Sequence, residues 1–147
     1  MVVIDRNTWT RELVEASAEF ALNVPCRAQA RTTLDVGSVS GRDIGEGDKF
    51  SRFRLETFPA SRIAAPLLSG CVAWLECRLL PEPHNQQAHD LFIGEVVAAW
   101  ADSRVFSGGR WHFPDDEPEL RTIHYIAGGS FLAIGEAFDV SPSPPAS

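Results

Sequence analysis

Few of the residues that mark common classes of protein are present in this sequence. Its three cysteines, Cys26, Cys71 and Cys77, form no Cys-x-x-Cys pair and no Cys/His spacing suited to zinc, so neither a disulfide framework nor a zinc site is expected. The thiols are expected to be buried as small apolar groups, and reduced cysteines suit a cytoplasmic setting. The four histidines, His84, His89, His112 and His124, fall in separate segments without His-x-x-x-His spacing, and no metal is expected. Positive charge is scarce: 13 Lys and Arg stand against 20 Asp and Glu, a formal net charge of −7. A nucleic-acid surface would need clustered cations, so that class is excluded. No apolar run approaches the length of a membrane span, and the opening residues do not read as a signal or transit segment. Gly-x-Gly-x-x-Gly, the P-loop and the Gly-x-Ser-x-Gly elbow are all missing, which removes the commonest nucleotide signatures and a common serine hydrolase signature.

What is present reads as one β-rich domain. The 147 residues are 44% apolar and 22% charged, enough for a single core. Residues 1–5 read as a strand already inside that core. Asn7 or Thr8 can cap a helix through about Ser17, with Trp9, Leu13, Ala16 and Phe20 at helical spacing. A short strand at 20–24 is closed by Pro25, and a helix over 26–34 is ended by Gly37. A glycine-rich charged loop then runs over 38–50. Beyond Pro66 the pattern turns to strands. Residues 71–80 alternate, with Cys71, Ala73, Leu75, Cys77 and Leu79 on one face and Trp74, Glu76 and Arg78 on the other. Residues 81–88 are turn chemistry, and a strand from His89 to about Ala101 completes a long antiparallel hairpin. Gly94 interrupts that arm, as a bulge or a close backbone approach would require. A last strand pair surrounds Gly128-Gly129, their turn. The fold class is therefore mainly β, a Greek-key barrel with short helices over 1–138, followed by a disordered tail at 139–147.

Arg42, Lys49, Arg52 and Arg54 cluster in an otherwise acidic chain. They read either as a solvated face or as a local anion site for a phosphate-bearing ligand.

Several runs in order carry a family likeness. His89-Asp-Leu-Phe-Ile-Gly-Glu-Val96 resembles the G-D-H-x-L-F-I-G-E-V strand of flavin reductase-like proteins, the FMN-binding split-barrel family. Ala65-Pro-Leu-Leu68 and Leu75-Glu-Cys77 are similar to its "APL" and "LEC" segments, and Ser40-Gly-Arg-Asp43 with Asp48-Lys-Phe50 to its S-G-R-D-x-D-K-F segment. Asn7-Thr-Trp-Thr10 running into Phe20-Ala-Leu-Asn-Val-Pro25 resembles its S-R-x-T-x-x-L…F-V-V-N-x-P stretch. Tyr125-Ile-Ala-Gly-Gly129 with Phe131 and Ile134-Gly-Glu136 resembles its closing hairpin.

The resemblance implies an NAD(P)H:flavin oxidoreductase that holds FMN at a homodimer interface and takes hydride from NADH or NADPH. A reductase component of a two-component monooxygenase is one such role. A non-catalytic FMN-binding electron carrier fed by a partner protein is the alternative, and a non-binding relative a third. It implies that Asn7, Thr8, Thr10, Ser40, Gly41, Lys49 and Phe50 bind the cofactor, and that His89 lies beside the flavin and nicotinamide. A helix start favours an anion on physical grounds also, and the same Asn7 can be a plain N-cap. The pattern departs from the family in two places. Gly45-Glu-Gly47 lengthens the loop before Lys49. The family's strands ahead of the one matching residues 2–5, which contact the flavin ring, have no counterpart, so the fold is expected as an N-terminally truncated split barrel with weakened FMN binding. A start placed too late, a degenerate relative and a dimer covering the gap would each account for this.

Overall fold

Apolar alternation and helix punctuation lay the chain out as follows in the computed structural model, which describes residues 1–140. Strand β1, Val2–Val3, leads into α1, Trp9–Ser17, and β2, Glu19–Val24. A 3₁₀ turn at Arg27–Gln29 continues into α2, Ala30–Gly37. A second at Gly41–Asp43 precedes α3, Lys49–Phe53. Two short strands, β3 at Thr57–Phe58 and β4 at Leu67–Leu68, pair with each other. Then come β5, Ala73–Leu80, α4, Pro83–His89, and β6, Leu91–Ala101. Two hairpins follow: β7, Phe106–Ser107, with β8, Arg110–Trp111, and β9, Ile123–Ala127, with β10, Ser130–Ala133.

The hairpin expected from the alternation is the centre of the fold. β5 and β6 pair antiparallel from Ala73 opposite Ala101 to Leu80 opposite Ile93. β2 flanks β5 and β1 flanks β6, giving the order β1-β6-β5-β2 in a sheet curled as half a barrel. With its short helices this is the mainly β architecture expected. α1 packs on one face, where Val14, Phe20, Cys77 and Phe92 form a core supported by Val2, Ile4, Leu22, Leu75 and Leu79. A second core joins Cys26, Val72 and Val105. All three cysteines are free and buried, as expected, and burial pushes the Cys71 thiol up to about 11.

Gly94 faces Leu79, and a Cβ there would stand 2.5 Å from Phe20 Cζ. Close approach is thus its reason, while the extra residue of the hairpin is Val97, between the Cys77–Val96 and Glu76–Ala98 pairs. Gly128 and Gly129 turn β9 into β10 with φ of 57° and 84°, the left-handed pair that a two-residue hairpin turn demands.

The structure corrects several local expectations. Residues 81–88 are largely helical, because Pro83 occupies the first turn, where no N–H is needed. His89 is consequently the last residue of α4 instead of the first of a strand, and Asp90 ends the helix with a left-handed φ of 53°. α1 buries Arg11 and Val14, whereas Trp9 and Leu13 remain 39% and 51% exposed. β1 is an edge strand with Val3 exposed, and only Val2 and Ile4 reach the core. Glu76, expected on the face opposite Cys71, Ala73, Leu75, Cys77 and Leu79, is fully buried and accepts the backbone N–H groups of Ser61 and Arg62. Of the expected tail, Asp139 and Val140 carry no regular element, and residues 141–147 lie outside the described residues. Among the described residues no helix is long and apolar enough to cross a membrane.

Candidate functional site

The first turn of α1 is built by short polar residues that cap it. Thr8 is the N-cap: its hydroxyl accepts the Arg11 N–H at 3.4 Å and donates to the Asp5 carbonyl at 2.8 Å. Asp5 also receives the Asn7 N–H through its carboxylate at 2.7 Å and the Thr8 N–H through its carbonyl at 3.0 Å. A helix start leaves its first N–H groups without intrahelical acceptors, and those of Trp9 and Thr10 stay uncommitted among the described residues. The Asn7 amide and Thr10 hydroxyl likewise make no side-chain hydrogen bond there, and both residues are exposed. The aligned peptide dipoles add partial positive charge at this end.

Ser40 and Gly41 are brought against this turn. The Ser40 hydroxyl caps the 3₁₀ turn by accepting the Arg42 N–H at 3.2 Å. Gly41 approaches the Trp9 indole so closely that a Cβ would lie 2.7 Å from its Cδ1. Arg42 fastens the two segments, donating to the Asn7 carbonyl at 3.1 Å, pairing with Glu12 and lying 5.6 Å from the Trp9 ring centroid. Asn7, Thr8, Thr10, Ser40 and Gly41 therefore share one locus.

Lys49, the single lysine of the chain, opens α3. Its ammonium donates to the Val36 carbonyl at 2.7 Å, at the C-terminal end of α2, and burial draws its pKa below the ordinary lysine value. Asp48 caps α3 through Ser51, whose N–H and hydroxyl each donate at 2.8 Å; the N–H is the larger cause holding that carboxyl below its usual range. Phe50 is exposed. The four cations between 42 and 54 go to different partners: Arg42 to Glu12, Lys49 to Val36, Arg52 to the Phe53 ring, and Arg54 to the rim of a cleft.

His89 ends α4, exposed, with its ring 5.7 Å from that of His84. α4 is locked to α1 by Arg11. That guanidinium meets Asp90 at 2.5 Å, donates to the Gln86 carbonyl at 2.8 Å and to Glu15 at 2.9 Å, and lies 5.2 Å from the Phe92 centroid. Burial alone would raise the Asp90 carboxyl, but Arg11 and Arg6 outweigh it and hold it below its usual value. Arg6 adds a hydrogen bond to the Gln87 carbonyl. Sequence reasoning missed Arg11, because its partner Asp90 is 79 residues away. The Arg11–Glu15 spacing was the only local signal.

Two clefts open beside these elements. One of about 260 Å³ is lined by Gln29, Thr32, Arg54, Glu56 and Ser69 among others. The other, of about 360 Å³, lies between α2 and the β9–β10 hairpin, lined by Thr33, Leu34, Gly37, Ser38, Tyr125 and Phe131.

The sequence profile of the flavin reductase like domain matches residues 1–116. Uncharacterized protein YddH of Escherichia coli is 43% identical over 136 residues, covering 92% of this chain and 69% of that protein. An FMN-binding domain of a flavin reductases-like enzyme from Shewanella baltica superposes with a TM-score of 0.89 at 46% identity, covering 95% of this chain and 72% of that one. Flavoredoxin of Desulfovibrio vulgaris superposes with a TM-score of 0.75 at 22% identity, over 94% of this chain and 70% of that one, a likeness of fold alone.

Proposed function

The chain belongs to the flavin reductase like domain family, and on that premise we propose that it is an FMN-binding oxidoreductase that takes hydride from NADH or NADPH. The carrying observation is the donor set at the start of α1: two uncommitted N–H groups, the Asn7 amide, the Thr10 hydroxyl and the neighbouring Gly41 backbone. That set fits a phosphate monoester, which needs several convergent donors and gains from the helix dipole. The FMN-binding neighbour at 46% identity supports the same reading.

FMN, when bound, supplies the two-electron chemistry. The chain's own residues bind and orient. Asn7, Thr10, Ser40 and Gly41 hold the phosphate, and Thr8 keeps the first turn in shape. Lys49 exchanges its Val36 carbonyl for the anion as a compact point charge. Phe50 covers the same side. His89, fixed by the Arg11–Asp90 clamp, shapes the nicotinamide side and transfers no proton. A homodimer encloses the ligand, and a monooxygenase or an electron-transfer protein receives the electrons.

The test is a titration of the purified chain with FMN followed by steady-state oxidation of NADH and NADPH. One-to-one quenching of flavin fluorescence and turnover of reduced nicotinamide are expected. Lys49→Ala should weaken FMN binding by a factor on the order of 10 to 100, the worth of one hydrogen bond to a charged group. Binding without turnover would assign the chain to electron carriers, and no binding would overturn the proposal.

A further inference from the structure

The cleft of about 260 Å³ between the start of α2, the end of α3 and the β3–β4 pair shares no residue with the phosphate site. Its volume falls just below the roughly 300–1,000 Å³ of sites for drug-sized ligands, so it suits a smaller molecule. Its floor is braced on several sides. The Gln29 side-chain amide donates to the Ser69 carbonyl at 3.0 Å and accepts the Cys71 thiol at 3.5 Å. Gly70 lies against that amide with φ of 81°, and a Cβ there would collide with the amide nitrogen. The Ser69 N–H donates to the Glu56 carbonyl at 2.8 Å, the Leu68 N–H to the Asn23 side chain at 2.9 Å, and the Trp74 indole to the Leu68 carbonyl at 2.8 Å. A floor held in this way has little left to order when a ligand enters.

Four polar side chains on this cleft stay uncommitted. Among the described residues the Arg54 guanidinium, the Glu56 carboxylate and the hydroxyls of Thr32 and Ser69 make no hydrogen bond or ion pair, yet all four line the same space. Arg54 and Glu56 carry opposite charges two residues apart and do not pair with each other. Arg54 also closes α3 in the left-handed region, with φ of 51° and ψ of 46°, where a helix end favours glycine or asparagine. A long cationic side chain is thus kept on the cleft at a cost to the backbone. A lone anion would suit Arg54 and be repelled by Glu56, and a lone cation would meet the reverse. A molecule bearing both charges satisfies both residues through charge-assisted hydrogen bonds. Phe53, Leu55 and Leu68 add an apolar wall that suits a short aliphatic group.

We infer that this cleft binds a small zwitterion, a free α-amino acid with a short aliphatic side chain, its carboxylate on Arg54 and its ammonium on Glu56. The inference does not rest on the flavin reading. Three probes are titrated into the wild-type chain: L-leucine, isocaproate, which lacks the amine, and isoamylamine, which lacks the carboxylate. The readout is the backbone amide resonances of Ser69 and Gly70 and the side-chain amide of Gln29. Leucine should shift all of them saturably. Each single-charge analogue should bind about tenfold more weakly, for want of one hydrogen bond to a charged group. Arg54→Gln should weaken leucine about tenfold without weakening isoamylamine, and Glu56→Gln should weaken leucine without weakening isocaproate. This crossed pattern distinguishes direct contact from a general loosening of the cleft, which would weaken every probe alike. Equal affinity for the three probes would make the cleft an apolar crevice and overturn the inference. Leucine that leaves those resonances unmoved would overturn it too, as would variants that keep the wild-type circular dichroism and either bind leucine unchanged or lose all three probes together.

Discussion

Glu76 shows how one side chain can organise a loop far away in sequence. Its carboxylate, fully buried, accepts the backbone N–H of Ser61 at 3.0 Å, that of Arg62 at 2.6 Å and the Trp100 indole N–H at 2.8 Å. Burial by itself would raise its pKa, but these donors outweigh it and hold the carboxyl at about 2, against an ordinary 4.5. A depressed carboxyl stabilises the fold above its unfolded value and loses that contribution as pH falls through the folded one. Wild-type Tm should therefore decline between about pH 4.5 and 2 from this group. Glu76→Gln should have a lower Tm at neutral pH and a flatter acid dependence, because its amide turns donors toward donors. Thermal melts across that window would check both, and an unchanged neutral Tm would refute the role. The alternation of β5 put Glu76 correctly opposite the Cys77 face. It could not tell that the backbone at Ser61 and Arg62 would close on it.

At the scale of elements, the clamp between α1 and α4 is the feature on which the site's geometry depends. Arg11→Ala removes the contacts to Asp90, Gln86 and Glu15 together. Hydrogen exchange should then speed at the amides of α4 while the β5–β6 pairing stays protected, and FMN binding should weaken without loss of far-ultraviolet ellipticity. Equal protection of α4 in both proteins would show the clamp to be dispensable. The closest packing of α1's sheet is at Gly94, where any Cβ collides with Phe20. Gly94→Ala should cost about 1–3 kcal/mol, read from the urea midpoint. The start of α1 was legible because capping is local and Thr8 sits where its residue type is favoured, whereas α3, capped by Asp48, begins inside the segment expected as a loop. The helix at 83–89 was not legible, since prolines mark both turns and helix starts, and only packing against β6 and Arg11 decides between them.

The molecule as a whole leaves apolar surface open on the sheet it is built around. Val3, Val96 and Trp100 are exposed at 74%, 51% and 51% on β1 and β6, with Val96 on the Cys77 face of the sheet and Trp100 on the Glu76 face. The proposed homodimer would cover Val96. Val96→Glu should then shift the light-scattering mass from two chains to one at micromolar concentration while circular dichroism stays the same. A wild-type chain that is monomeric at every concentration would remove the dimer from the proposal.

The sequence by itself determined the hairpin at the centre of the fold, the turn at Gly128-Gly129, the capped start of α1 and the family, because periodicity, capping and turn chemistry act over a few residues. It also named the residues that gather at α1, since Ser40 and Gly41 belong to a run similar to the family's. Only the tertiary structure decided what those residues touch. It paired Arg42 with Glu12, set Lys49 on a helix end, made His89 the close of a helix and buried Glu76 under a distant loop. Each of these outcomes is a competition between partners far apart in the chain, and burial and geometry settle such competitions where local pattern has no access to them.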